Sequence, residues 1–146
     1  MNLIPLETYK KIHKNIPILC VDLVILDKKK NFLLVKRANE PAKGKWWFIG
    51  GRVNKFETLK KAVARKAKEE IGLKVKILKC LGVDETIFKN GPFGWPTHTI
   101  NVVFLVELDN KLIKIDYQSK KYEWFSQINN NWPSYIKKFI KLGLVN

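Results

Sequence analysis

The chain has 146 residues, 46% of them hydrophobic, enough for one good core and too few for two ordinary domains. Its longest apolar stretch, Ile16 to Leu26, is broken by Asp22 and too short to span a bilayer, and no basic, apolar, small-residue order marks a signal peptide; one cytoplasmic domain over residues 1–146, off the membrane, is the expectation. A formal charge of +15 invites nucleic acid or anionic substrates, though a lysine-rich solvated surface would give the same number.

Only three of the 28 basic residues are arginine: Arg37, Arg52 and Arg65. In a chain that otherwise uses lysine, these mark positions where a planar, bidentate cation is needed. The first element is an N-terminal helix, with His13 among lysines and expected at its surface. Leu19 to Leu26 and Phe32 to Lys36 are Val/Leu/Ile-rich and read as a hairpin about the polar turn at 27–31. Cys20, like Cys80, lacks metal or disulfide spacing and is expected to be a small buried apolar residue.

After a loop marked by Pro41 and Gly44, Trp46-Trp47-Phe48-Ile49 reads as a short strand stopping at Gly50-Gly51. The segment from about Glu57 to Ile71 is helical in pattern and ends at Gly72, a favoured cap. Val75 to Leu81 and Thr99 to Leu108 read as strands, with 90–96 a long loop between them. Such loops commonly carry binding residues. Pro133 opens a last helix with Ile136, Phe139 and Ile140 on one face, closed by Gly143 and expected to dock on the core.

At about 100° per residue, Leu59, Val63 and Ala67 form the core-facing stripe of the central helix, and Glu70 falls on the same side. A carboxylate aimed at apolar surroundings is costly unless paired or bound to a cation. Glu69 points to the flank, so both could reach one hard divalent ion such as Mg²⁺. Taken alone, Arg65 with Glu69 and Lys66 with Glu70 would pass as ordinary i, i+4 pairs.

The context changes that. GRVNKFETLKKAVARKAKEEIGL, residues 51–73, fits the pattern G-x5-E-x7-R-E-U-x-E-E-x-G-U through Gly51, Glu57, Arg65, Glu69, Glu70, Gly72 and Leu73, in the required strand, loop and helix setting. The sequence therefore resembles the Nudix hydrolases. That resemblance implies an α/β/α sandwich with a mixed sheet and a loop-helix-loop catalytic motif. It further implies Mg²⁺ or Mn²⁺ on Glu69 and Glu70, a backbone carbonyl ligand from Gly50, and Arg65 orienting a glutamate. One position departs: Lys66 stands where the pattern has glutamate. A lost ligand and a gained like charge should weaken a multi-metal site and favour a single metal.

Outside the box, FLLVKRANEPAKGKWWFIGGRV at 32–53, Asp22 in its apolar strand and DYQSKKYEWFS at 116–126 are similar to the GDP-mannose mannosyl hydrolase branch. That branch displaces a nucleoside diphosphate from the anomeric carbon of a sugar. The resemblance implies Arg37 clamping the diphosphate, Asp22 beside it, Gln118 joining Gly50 and Glu70 around Mg²⁺, and a homodimer.

A second departure is Ser119, where the branch has its general-base histidine, since a hydroxyl cannot collect a proton from water unaided at neutral pH. His98 is the leading substitute, with Glu123 and Asp116 as others. Arg52 belongs with the substrate-binding residues, and among the aromatics near the mouth, Trp46, Phe93 and Trp95, Trp95 is the favoured contact for a base. Two other readings stay open: a nucleotide-sugar or ADP-ribose pyrophosphatase attacking phosphorus, and a domain that binds nucleotide or RNA without turnover.

Overall fold

The computed structural model of the protein describes residues 3–145. In chain order the elements are α1 (Leu6–Asn15), β1 (Ile18–Ile25), β2 (Phe32–Arg37), β3 (Trp46–Trp47), β4 (Ile49–Arg52), α2 (Leu59–Ile71), β5 (Val75–Phe88), β6 (Thr97–Leu108), β7 (Ser119–Phe125) and α3 (Ser134–Leu144). They build two sheets, β4-β1-β6-β5 and β3-β2-β7. The first is mixed, because β1 runs parallel to β6 and antiparallel to β4.

The strands of the centre are apolar on both faces because a helix covers each. From β1 and β2, Val21, Leu23, Ile25, Leu33 and Val35 join Val63, Ala67 and Ile71 of α2. The alternate residues Val24, Phe32 and Leu34 join Ile136, Phe139 and Ile140 of α3. This is the period-two alternation of strands serving two cores, and it gives the expected α/β/α sandwich. Pro133 precedes α3 and its apolar face docks as expected. Gly143 lies inside that helix, where an added side chain would press on Val24 at 3.0 Å.

Several local expectations need correcting. β1 and β2 do not form a hairpin: they meet at one bridge, Leu26 with Phe32, then diverge into different sheets. The turn between them is held by Asp27, whose Oδ1 accepts from the amides of Lys29 at 2.9 Å and Asn31 at 2.8 Å. The stretch at 46–49 divides at Phe48, since Trp47 pairs with Val35 and Ile49 with Leu23. β5 continues past Leu81 to Phe88, with register shifts between Ile77 and Lys79 and between Cys80 and Gly82. Bulges let a strand pass a glycine that would otherwise end it. Cys80 is exposed on this strand, whereas Cys20 is buried as expected.

Candidate active site

α2 begins at Thr58, whose hydroxyl accepts from the Lys61 amide at 3.2 Å, and ends at Gly72, with φ 71°. Its register puts Val63, Ala67 and Glu70 on the buried side, as the spacing predicts, and adds Lys66, only 6% exposed.

Arg65 organises the N-terminal approach to the helix. Its Nε donates to Glu57 at 2.6 Å, one Nη donates to Glu57 at 2.9 Å and to the Arg52 carbonyl at 2.8 Å, and the other Nη lies 3.3 Å from Glu69. The Arg65 guanidinium holds the Glu57 carboxyl below the usual carboxylate range.

Glu70 is 2% exposed and accepts from the Gly50 amide at 3.1 Å. Burial pushes its carboxyl up to about 7, against the nearby Lys66 charge. Asp22, on β1, receives the Tyr135 hydroxyl at 2.6 Å and is likewise pushed up to about 7 by burial. The strand alternation that aims Val24 at α3 also aims Asp22 at Tyr135. Gly50 pairs with Asp22, and a side chain at position 50 would collide with the Asp22 carboxylate and the Val21 carbonyl. Gly51 in turn leaves room for the arm of Lys66, whose Cε an added Cβ would meet at 2.7 Å.

Two joined cavities open at this point. The inner chamber, about 750 Å³ including its open mouth, is walled by Trp47, Phe48, Phe88, Ile18 and Pro92, with Thr86, Thr97, Thr99 and Asn101 as neutral polar groups. The outer vestibule, about 1590 Å³, is lined by Arg65, Lys66, Glu69, Asp116 and Asn39. Arg37, Arg52, Tyr9 and Gln118 line both and form the waist. All three arginines of the chain therefore face one cleft. Arg37 donates through Nε to the Pro41 carbonyl at 2.7 Å, and Arg52 lies over the Tyr9 ring at 4.9 Å.

Of the residues nominated from sequence, Asp22, Arg37, Gly50, Arg52 and Gln118 line the inner chamber, and Arg65 and Glu69 the vestibule. Glu70 lines neither; it lies beneath the Gly50 amide and Lys66.

His98 is a correction. Thr97, Thr99 and Asn101 turn toward the chamber, so His98 turns to the opposite face of β6, where it pairs with Glu85 at 3.0 Å. Glu123 is exposed on β7, outside both cavities, and Asp116 is the nominated base that faces the vestibule. Trp95 also lines neither cavity; its Nε1 donates to His13 Nδ1 at 3.1 Å. His13 is not on the surface but buried, edge-on to Phe93 and 3.4 Å from Thr97 Oγ1. Trp46 packs edge-on against Phe125, and Trp47 takes the chamber wall instead.

Tyr9, His13 and the Thr-x-Thr-x-Asn alternation at 97–101 line the chamber without having been expected there from sequence. The last had a signal: small polar residues at every second place in an otherwise apolar strand. The first two had none, because α1 reaches the site only through the fold.

Glu69 and Asp116 face the vestibule, and Gln118 Nε2 donates to Asp116 Oδ2 at 3.0 Å, which leaves the amide oxygen for other partners. Among the described residues no group of three His, Cys, Asp or Glu side chains could hold a metal. These oxygens fit a hard cation that brings water or phosphate ligands of its own, as Mg²⁺ does, and not one caged wholly by protein.

A mixed sandwich with this loop and helix at its edge defines a Nudix domain. The NUDIX domain family model matches residues 17–139, and the chain belongs to the Nudix family, hydrolases of nucleoside diphosphate derivatives. It is 33% identical over 139 residues to the low-salt glycan biosynthesis protein Agl8 of Haloferax volcanii, covering 94% of this chain and 88% of that protein. It is 37% identical over 117 residues to an ADP-ribose pyrophosphatase of Methanocaldococcus jannaschii, covering 80% of this chain and 65% of the relative. Among solved structures, the MutT protein of Methanosarcina mazei Go1 superposes with a TM-score of 0.72 at 27% identity, over 87% of this chain and 93% of that one. Among the described residues no helix is long and apolar enough to cross a membrane.

Proposed function

We propose that the protein is a Mg²⁺- or Mn²⁺-dependent hydrolase of nucleoside-diphosphate sugars, with GDP-mannose or a related hexose as the favoured substrate and the anomeric carbon as the point of attack. The observation that carries this is the division of one cleft into a largely apolar, aromatic chamber and a charged vestibule, joined at Arg37 and Arg52. An uncharged base stacks in the chamber beside Trp47 and Phe88, with Asn101 and the threonines for its polar edge. The diphosphate lies at the waist, where two guanidiniums neutralise it.

Glu69 and Gln118, with Gly50 and Glu70 behind them, would hold the cation, which would supply charge stabilisation for the departing diphosphate. Arg65 keeps Glu69 and Glu57 in place. Asp116 is the carboxylate positioned to take a proton from the attacking water. The glycan biosynthesis relative supports a nucleotide-sugar substrate.

A second reading, water attack at phosphorus as in a pyrophosphatase, is favoured by the ADP-ribose pyrophosphatase relative and by Ser119 in place of a histidine. Turnover in ¹⁸O water separates the two. Label in the free sugar, with unlabelled nucleoside diphosphate, is the expected result. Label in a nucleoside monophosphate or sugar phosphate overturns attack at carbon.

A further inference from the structure

Lys66 departs from the family pattern and is also the most buried cation at the site. It lies on α2 one turn before the paired carboxylates. Its arm runs past Gly51, and its ammonium ends 3.4 Å from Glu69 Oε2 and 3.7 Å from Glu70 Oε2. The side chain is 8% exposed, so this is not a solvated surface pair. Glu70 lines neither the chamber nor the vestibule, and the oxygen that faces Lys66 also accepts from the Gly50 amide.

We propose that Lys66 is a tethered cation standing in for a metal ion: its ammonium bridges Glu69 and Glu70 and pre-empts a second divalent site. The inference rests on the reading that the vestibule takes a divalent ion, but not on which nucleotide is cleaved.

The physical grounds are position and charge. A hard divalent ion bonds carboxylate oxygens at about 2.1 Å, and on Glu70 Oε2 it would sit against the ammonium already there. Like charges at that range repel, in a setting with little water to screen them. A tethered ammonium also does not dissociate, so no free-ion concentration displaces it by competition alone. The room for the arm is provided by Gly51, where any side chain would meet Lys66 Cε. Divalent binding is thereby left to the outward side, where Glu69 and Gln118 face the vestibule.

The test uses the full chain and Mn²⁺ alone, with free Mn²⁺ followed by electron paramagnetic resonance. The wild type is expected to bind at most one Mn²⁺ per chain. Lys66→Glu is expected to bind one more. Lys66→Gln, which removes the charge without adding a ligand, is expected to bind its Mn²⁺ about tenfold more tightly.

Two ions per chain in the wild type would overturn the proposal. So would wild-type stoichiometry and affinity in both variants once circular dichroism shows them folded, and so would no Mn²⁺ binding by any of the three. A chain that cleaves no nucleotide sugar yet gains Mn²⁺ on Lys66→Glu loses the substrate reading and keeps this one.

Discussion

The inner chamber and the vestibule share Arg37, Arg52 and Gln118, yet they are made by different parts of the fold. The chamber is walled largely by β1, β5 and β6, whose register fixes Asp22, Thr86, Thr97, Thr99 and Asn101 against one another. The vestibule is drawn from α2 and the loops around it, with Arg65, Glu69 and Asp116. Neutral groups, whose recognition depends on placing hydrogen bonds accurately, sit on strands. The vestibule's own charges, which act over longer distances, sit on a helix and a loop, while Arg37 and Arg52 of the shared waist end strands β2 and β4.

The sharpest way to break this division is Arg65→Ala. The change leaves Glu57 and Glu69 without their shared guanidinium and the Arg52 carbonyl without its donor. We expect kcat to fall about 10²- to 10³-fold with KM much less affected. A loss under threefold would mean the vestibule is not where charge develops. In the chamber, Asn101→Ala removes a buried amide that donates to Thr86 at 3.4 Å. Here the expected change is in KM, about tenfold upward, with kcat within about threefold. A kcat-only effect would erase the distinction between the two cavities.

The carboxyls around the site also differ in how they respond to pH, seen as melting temperature in a chelator. Asp22 and Glu70 have folded-state values raised to about 7, while in the unfolded chain both ionise near pH 4. Below both values each is protonated in both states. As pH rises toward 7 only the unfolded chain sheds these protons, so stability falls across that window. Glu57, held low by Arg65, has the opposite sign: its contribution is present above its unfolded value and lost as pH falls through the folded one. Asp22→Asn and Glu70→Gln should each flatten the fall by on the order of 2 kcal/mol. An unchanged slope in both would show that these carboxyls are not held protonated.

This contrast also explains what the sequence disclosed. The charged side of the site is legible because Glu57, just before α2, and Arg65, Glu69 and Glu70 on it lie within one short segment of fixed spacing. The layers were legible because β1, β2, α2 and α3 each carry a periodic apolar face. The chamber was not, since Tyr9, Trp47, Phe88 and Thr97 come from four separate elements or their edges. The base is illegible for a related reason: a histidine next to a loop invites the role, but one residue of strand register turns His98 to the face away from the chamber.

His98→Ala is therefore the mildest of these changes. Its imidazole is about a third exposed, and its partner Glu85 is more exposed still. A pair so open to water contributes roughly 0–1 kcal/mol. Its removal uncovers no buried group, and neither residue lines the chamber or the vestibule. We expect kcat/KM within about twofold of wild type and a melting temperature within about 2 °C. A hundredfold loss of kcat at unchanged stability would return His98 to the reaction and require β6 to present its other face to the substrate. That would undo the assignment of Thr97, Thr99 and Asn101 to the chamber as well, because all four residues depend on the same strand register.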